Sequence, residues 1–566
     1  MPDGTIGIIP IEWFAKYKEL FVFGKSNKES IELSSIHSHI LLREFKNKGL
    51  NFGKIEEIYQ PISLDKIILP KGIEAELRTY QKIGFAWLNR LKNNNLGGCL
   101  ADDMGLGKTL QFICLLKQVI DEQDETIIEV SNLSKPQLDL FSLIDNSEPK
   151  HAVKNSIPSL IVVPTSLVHN WENEFNKFSP KIKYKKYIGA NRSESIELFN
   201  EYDAIITTYG VIRNDITILK NIPFEILAID EAQYIKNPQS KTYKAILEIQ
   251  SKYKVALSGT PIENSLSDLW AQLNFLNRGI LGSYSYFKRE YQSPIEKREN
   301  LEKQDELLKI VSPFILRRTK QEVAKDLPEL TEKTIFCTMA EEQKNYYEEL
   351  KSKIRNKILE GFDNPIEKQH RNIHILKGLM QLRLLANHPS ILDNNLAIES
   401  GKFEEIKRSL DKIVLQGHKV LIFSSFVKHL MLFVDYFKQQ KWNFSLLTGQ
   451  TELRQEEVAK FQQTEDCKLF LVSLKAGGVG LNITAADYVF LLDPWWNLAA
   501  EKQAISRAHR IGRQDKIFVY RFITQNTIEE KIQHLQSKKE NLSETFVNSK
   551  NILKYLKESQ INEIFE

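Results

Sequence analysis

The sequence predicts an α/β protein with two parallel-sheet domains in tandem, and three observations lead there. Two blocks of the chain alternate short, nearly continuous Val/Ile/Leu runs with amphipathic helical patterns. Strands buried on both faces of a parallel sheet read this way, and strand–helix alternation gives three-layer domains. At 566 residues the chain exceeds what one hydrophobic core supports. Its 42% apolar and 27% charged residues are ordinary for a globular protein.

Residues 1–70 are expected to form a small separate unit of no assignable class. The first block, 71–290, carries "LGGCLA", "SLIVVP", "AIITTY", "FEILAIDEA" and "KVALSG" as strands. Its helix "LQFICLLKQVI" sets Leu110, Ile113, Leu116 and Ile120 on one face. Residues 121–157 lose this periodicity and read as a long surface loop or insert. The stretch 262–400 is dense in Lys, Glu, Leu and Gln and reads as helical insertions, with 291–400 also linking the two blocks. The second block, 401–530, carries "KVLIFSS", "LFLVSL", "YVFLLD" and "IFVYRFI" as strands and "HLMLFVDYFKQQ" as a helix. Residues 531–566 read as a helical C-terminal segment.

Bulk properties exclude several classes. Runs such as "SLIVV" and "FEILAI" are strand-length, far short of the ~20 residues a membrane span needs. "MPDGTIGIIP" has neither the basic start nor the apolar stretch of a signal peptide. Cys99, Cys114, Cys337 and Cys467 never form C-x-x-C, which argues against a zinc finger or disulfide frame and for a reducing cytosol. The pair His37 and His39 is expected to be a surface feature. A net charge of +4 does not by itself imply nucleic acid, so any such claim rests on motifs.

"CLADDMGLGKT" follows a strand and opens a helix, the context of a phosphate loop. The strict pattern G-x-x-x-x-G-K-[ST] has glycine where this chain has Asp102. Backbone N–H groups and the positive helix end would hold a β-phosphate. Gly105 and Gly107 permit the tight path, Lys108 reaches the β/γ oxygens, and Thr109 is suited to Mg²⁺. Alone, "GLGKT" is also compatible with a structural turn. "FEILAIDEAQ" adds a strand ending in Asp230 and Glu231, where ligands bind in this architecture. Asp230 is placed to hold Mg²⁺ and Glu231 to orient and deprotonate water. Together the two elements predict nucleoside triphosphate hydrolysis.

Further blocks occur in a fixed order: "LRTYQKIGFAWL", "VVPTSLVHNWENEF", "ITTYG", "DEAQYIKN" and "LSGTPIENSLSDLW", then "VLIFSSF", "LTGQT", "SLKAGGVGLNIT", "LLDPWWN" and "QAISRAHRIGR". Over residues 75–545 this series resembles the SWI/SNF-type (sucrose non-fermenting two) family of superfamily II helicase-like ATPases, in its bacterial branch. "DDMGLGKT" is that family's usual phosphate loop, so Asp102 is a family feature. The resemblance implies two RecA-like lobes with helical insertions and a C-terminal brace, and ATP with Mg²⁺ in the cleft between the lobes. It implies nucleotide contacts from Gln81, from Asp102, Asp103, Met104, Gly105, Leu106, Gly107, Lys108 and Thr109, and from Gln233 and Gly480. Gln81 would read the adenine edge. Arg507 and Arg510 map onto the arginine-finger block, three apart on an expected helix so that both guanidinium groups leave one face. Arg513 stands where the family often has Gln, and its role is open.

By the same resemblance, Pro164, Thr165, Ser166, Thr207, Thr208, Ser424, Ser425, Ser473, Lys475, Gly477 and Gly478 would line a DNA track, with the "TTY" block running on to Tyr209. Hydroxyls and exposed N–H groups suit phosphates without reading bases, so binding should be sequence-independent and salt-sensitive. "PFILRRTKQEVAKDLPELTEK" and "NTIEEKIQHLQSKKE" resemble the family's brace segments and "LMQLRLLANHP" the helical insertion of its second lobe, and this resemblance implies duplex tracking over strand separation. Trp495 and Trp496 would be either a base-stacking platform or a packed core pair.

"QLDLF", Gln137, Leu138, Asp139, Leu140 and Phe141, resembles the short peptide by which bacterial DNA-processing proteins bind the replication sliding clamp. A patch that pins the loop to its own domain is the other reading. "DGTIGIIPIEWF" faintly resembles the segment that precedes the motor in bacterial members. With no Cys before Cys99, the zinc-binding SWIM module found upstream in them is not expected, and the chain is read as the motor-bearing end of a longer protein or a short form. The expected activity is an ATPase that translocates on double-stranded DNA to remodel or displace protein–DNA complexes, as a cytoplasmic, nucleoid-associated, monomeric motor with no membrane partner. A strand-separating DNA or RNA helicase, or a non-hydrolysing DNA-binding scaffold, are the alternatives.

Overall fold

Alternation sorts each buried strand between two cores, and the second sheet shows this directly. Leu421 and Phe423 join one buried cluster with Phe470, Val472, Val489 and Leu491. Val420 and Ile422 join another with Leu469, Leu471, Phe490 and Phe522. Because both faces are covered, every residue of "VLIF" has to be apolar.

A computed structural model describes residues 23–26, 31–33, 35–37, 61–133, 157–259, 265–324, 328, 330–363, 371–477, 483–495, 498–510 and 515–534. The chain divides into two compact units. The first comprises Met1–Asp102, Gly107–Pro261 and Leu266–Arg317, and the second Asp103–Leu106, Ile262–Ser265 and Arg318–Glu566. Near the start, β1 (Lys25–Ser26) and β2 (Ile31–Glu32) pair antiparallel.

The first unit holds a seven-stranded sheet of β3 (Gly98–Leu100), β4 (Ser159–Val163), β5 (Tyr184–Tyr187), β6 (Ala204–Thr208), β7 (Phe224–Asp230), β8 (Ser251–Leu257) and β9 (Ile315–Leu316), in the order β5-β6-β4-β7-β8-β3-β9. Every pairing is parallel. The second unit holds β10 (Leu330–Cys337), β11 (Val420–Ser424), β12 (Asn443–Leu447), β13 (Cys467–Ser473), β14 (Tyr488–Leu491) and β15 (Ile517–Thr524), in the order β10-β15-β14-β11-β13-β12, again all parallel.

The nine strands expected from apolar runs are all present, and the two large sheets add four that were not anticipated, β5, β9, β10 and β12, besides the small β1–β2 pair near the start. These four are the outermost strands of the two sheets. An outer strand buries only part of its surface, so "YKKY" and "LTEKTIFC" carry no continuous apolar run. β10 also corrects the reading of 262–400 as purely helical, since it pairs with β15 along its whole length.

The helix after the phosphate loop, Lys108–Leu133, carries the expected face and more: Phe112, Cys114 and Leu115 are also fully buried. It runs on through 121–133, correcting the expectation of a loop from 121. Lys117 pairs with Asp121 and Lys92 with Glu122, and the polar run "DEQDE" continues the helix past its apolar face. The rest of that insert, with Gln137, Leu138, Asp139, Leu140 and Phe141, lies outside the described residues. His37 is buried, which corrects the surface reading. Its ring stacks on Phe23 at 4.4 Å and its Nε2 lies 3.2 Å from Gly279 O. His39 is outside the described residues. Among the described residues no helix is long and apolar enough to cross a membrane.

Candidate active site

The carboxyl end of β7 carries the acidic pair. Asp230 is the last strand residue, and Glu231 turns the chain with φ 55° and ψ 60° into a short 3₁₀ turn, Ala232–Ile235. A left-handed glutamate is costly, so the surrounding contacts must hold it. Glu231 N donates to Asp230 Oδ1 at 2.9 Å, and Gln233 Nε2 donates to Glu231 Oε2 at 2.8 Å. Tyr209 Oη donates to Asp230 O at 2.6 Å, and its ring stacks on Tyr234 at 4.9 Å. Trp171 Nε1 donates to Asp230 Oδ2 at 2.9 Å.

Burial, and next the neighbouring Glu231, push the Asp230 carboxyl up to about 7; the Trp171 bond and the Lys108 charge pull the other way. Burial, with Asp230 and Glu231 beside it, holds the Tyr209 phenol well above its usual range, so it remains a donor. Asp230 is half-buried and Glu231 buried; a second acid beside the Asp230 carboxyl raises the cost of ionising it, and a cation offsets that cost. In donor chemistry the Asp230 and Glu231 carboxylates and the Thr109 hydroxyl are hard oxygens of the kind Mg²⁺ takes alongside substrate phosphates. The residues fit that ion.

The phosphate loop explains its own departure from the strict motif. Asp102 is fully buried with its carboxylate accepting from Gln111 Nε2 at 3.3 Å, and its carbonyl accepts from Lys108 Nζ at 2.6 Å. The positions that need left-handed backbone are Gly105, at φ 87°, and Gly107, at φ 77°. Asp102 is not among them. A Cβ on Gly107 would stand 2.5 Å from Gln81 Nε2. The side chain of Gln81 thus lies against the loop, its Oε1 accepting from Arg78 N at 2.9 Å. Gln233 bonds the catalytic candidate Glu231, as above.

The track residues of the first unit differ among themselves. Thr165–Leu167 form a 3₁₀ turn that leads into the helix Val168–Phe178, and Thr165 is exposed. Thr207 is buried, with Oγ1 donating to Tyr187 O at 2.9 Å, so its hydroxyl fastens β6 to β5. Thr208 Oγ1 accepts from Val211 N and caps the helix Tyr209–Leu219.

In the second unit, the loop tip Asp103–Leu106 is held by Asp103, whose N donates to Arg318 O at 3.0 Å and whose Oδ2 accepts from Lys320 N at 3.0 Å. Arg507 lies in the last turn of the helix Leu498–Ala508 and is buried. Arg510 lies beyond the helix, which corrects the expectation that both arginines ride one helical face. His509 N closes the last turn on Ile505 O, and the His509 ring meets Pro328 O at 3.0 Å. Asp493 gathers Ser424 and Ser425: Ser424 Oγ donates to its Oδ1 at 2.9 Å and Ser425 N at 2.8 Å. Ser473 is buried at the end of β13, followed by a short helix, Leu474–Gly477, whose backbone includes Lys475 and Gly477. Trp495 packs against the core beside β14, and its N donates to Glu501 Oε1 at 2.6 Å. Gly478, Gly480, Trp496 and Arg513 lie outside the described residues.

Sequence reasoning missed the functional placement of Trp171, Gln111 and Asp493. Only Trp171 left a signal, since Val168, Trp171 and Phe175 share one buried helical face.

Comparison with known proteins gives two consecutive family matches, the first of which runs past the boundary between the two units. The SNF2-related domain matches residues 80–391, and the helicase conserved C-terminal domain matches residues 401–512. The putative ATP-dependent helicase/translocase YwqA of Bacillus subtilis is 34% identical over 509 residues, covering 87% of this chain and 51% of that protein. The uncharacterized ATP-dependent helicase MG018 of Mycoplasma genitalium is 34% identical over 496 residues, covering 87% of this chain and 44% of that protein. Among solved structures, the Sulfolobus solfataricus SWI2/SNF2 ATPase core in complex with dsDNA is 34% identical, covers 88% of this chain and 98% of that one, and has a TM-score of 0.42. The chain spans about half the length of the curated relatives it matches.

Proposed function

The chain belongs to the SNF2-related family, and from that premise we propose that it is an ATP hydrolase that translocates on double-stranded DNA and remodels or displaces protein–DNA complexes without separating the strands. The observation that carries this reading is the corner at the end of β7, where a half-buried Asp230 and a buried Glu231 share one turn and Asp230 lies within the electrostatic reach of Lys108. That is the arrangement in-line phosphoryl transfer to water needs. Similarity to a protein named a helicase/translocase supports the nucleic-acid side of it.

Each residue then has a role. Lys108 and the loop's N–H groups bind the β- and γ-phosphates, and Gln81 bears on the base. Asp230 and Thr109 would hold Mg²⁺, which when bound supplies positive charge to the phosphate oxygens. Glu231 orients a water and takes its proton. Arg507 and Arg510 are the cations that would stabilise charge developing on the γ-phosphate, an effect worth ~10³–10⁵ in rate in comparable enzymes. Thr165, Ser166, Thr208, Ser425 and Lys475 are proposed to meet backbone phosphates, while Thr207 and Ser424 support the loops from beneath.

The test is steady-state ATP hydrolysis without nucleic acid, and with duplex DNA, single-stranded DNA or structured RNA, at low and moderate salt. Stimulation confined to duplex DNA and weakened by salt is the expected result. Greater stimulation by single strands, with unwinding of a tailed duplex, would replace it with the helicase reading. No turnover under any condition would leave a DNA-binding scaffold. We further propose a monomeric motor in the cytoplasm, associated with the nucleoid and able to dock on the sliding clamp through Gln137–Phe141. Loss of clamp pull-down in a Leu140→Ala/Phe141→Ala variant is the expected outcome, and equal retention by both proteins would remove that contact.

A further inference from the structure

Three neighbouring strands of the first unit end at the same edge of the sheet, in the order β6, β4, β7. β6 leads into Thr208 and Tyr209, β4 into Pro164–Leu167 and the helix Val168–Phe178, and β7 into Asp230 and Glu231. The first two ends are segments of the proposed nucleic-acid track, and the third is the proposed hydrolytic corner. Both track segments send one aromatic donor to the same acidic residue. Tyr209, from β6, reaches past the β4 position to donate to Asp230 O at 2.6 Å, and also lies 3.5 Å from Glu231 O. Trp171, one turn into the helix that follows β4, donates to the Asp230 carboxylate at 2.9 Å.

Neither bond is needed to bury its ring. Trp171 packs between Phe112, at 5.8 Å, and Phe175, at 5.9 Å, and Tyr209 stacks on Tyr234 with ring planes 9° apart. The polar atoms therefore add direction to rings already held by apolar contact. One fixes the backbone of the turn that carries left-handed Glu231, and the other fixes the Asp230 carboxylate. A shift of either track segment would reach the acids through one hydrogen bond, with no intervening residue.

We propose that Trp171 and Tyr209 are positioning residues that couple nucleic acid on the track to the attitude of the Asp230–Glu231 corner, and so set how far the duplex stimulates ATP hydrolysis. This rests on the duplex-translocase reading. The coupling is carried by two specific atoms, the indole Nε1–H and the phenol O–H, and each can be deleted while the ring is kept or replaced by a smaller one.

The experiment uses the full chain as wild type, Tyr209→Phe and Trp171→Phe. For each, kcat and KM for ATP are measured with and without saturating duplex DNA, DNA affinity by fluorescence anisotropy, and melting temperature by calorimetry. The expected result is that the ratio of stimulated to unstimulated kcat falls about tenfold, the value of one hydrogen bond of ordinary strength. KM for ATP and DNA affinity should stay within about twofold of wild type: Tyr209, although it closes the "TTY" block of the expected track, is buried with its hydroxyl on Asp230 O, and the Trp171 donor is likewise engaged with Asp230. A ratio equal to wild type overturns the coupling, as does an equal fall of both rates, which marks a purely structural role. A loss of DNA affinity in step with the ratio also overturns it, by making these residues part of the binding surface. If Trp171→Phe does not fold, Tyr209→Phe, which deletes a single oxygen, decides alone. A wild type that duplex DNA does not stimulate overturns the translocase reading itself, and the coupling with it.

Discussion

Each unit buries acid, and the two do so in opposite ways. In the second unit, Lys402 and Glu529 are wholly buried and meet at 2.6 Å. Glu529 also accepts from Asn387 Nδ2 and Thr524 N, and Lys402 Nζ donates to Asn387 Oδ1, so each charge meets its opposite and at least one further hydrogen-bond partner. That cluster joins the helix Arg371–Asn387, the helix Gly401–Leu415 and the helical segment 528–534 that follows β15. In the first unit, Asp230 and Glu231 are adjacent like charges, held by an indole, a phenol and an amide. One arrangement closes its electrostatics internally. The other, under the proposed function, is completed by a cation and a substrate, and on that reading the difference separates a structural acid from a chemical one.

The comparison makes predictions that fall in order of size. Glu231→Gln should lower turnover by ~10²–10⁴ while leaving ATP binding, because a general base is lost but the phosphate loop is not. Single-turnover kinetics with a fluorescent nucleotide measures both, and surviving turnover would reassign the base. Lys402→Met should cost about 3–5 kcal/mol of stability in urea unfolding, since it strands a buried carboxylate. Adding Glu529→Leu should recover most of that loss, and failure to do so would mean the pair does more than fill space.

Gly107→Ala is a smaller perturbation. It forces φ 77° on a residue with a Cβ and drives that Cβ to 2.5 Å from Gln81 Nε2. ATP affinity should weaken about tenfold, as ~1–2 kcal/mol of left-handed strain implies. Titration calorimetry reads it, and a Gln81→Ala background should restore part of the loss.

The smallest effect tests a buried histidine beside the second unit's cluster. His429 is fully buried near Lys402, neither ring nitrogen has a hydrogen-bond partner among the described residues, and burial, then Lys402 and His388, hold its pKa well below the usual range. Burial likewise lowers His388 to about 4. Both histidines protonate more readily unfolded, near pH 6.5, than folded. Their contribution to stability is therefore complete above pH 6.5 and lost as pH falls, with His388 following until about pH 4. His429→Leu should flatten that acid limb by up to ~1.4 kcal/mol per pH unit, the effect of one proton. Melting temperatures at pH 7, 6 and 5 check it, and an unchanged slope would show that His429 is protonated when folded.

The parts legible from the chain were those in which one segment carries its own reason. "SLIVV" and "VLIF" have to be buried on both faces wherever they lie, so the central strands and the parallel α/β class could be read directly. Gly107, Lys108 and the Asp230–Glu231 pair were legible because phosphate-loop chemistry is local. The outer strands β5, β9, β10 and β12 were not, because an edge strand owes its structure to a neighbour that the local pattern does not reveal. Arg510 was misplaced by continuing a helix that stops at Ala508.

By itself, then, the sequence determined the two sheets, the phosphate loop and the acids, because hydrophobic periodicity and a contiguous motif act over a few residues. Only the tertiary structure decided which donors hold Asp230: Trp171 is 59 residues away in the chain and Tyr209 is 21. Strand order brings them to one edge of the sheet. A hydrogen bond needs its partners within about 3 Å, and no pattern along the chain encodes that distance.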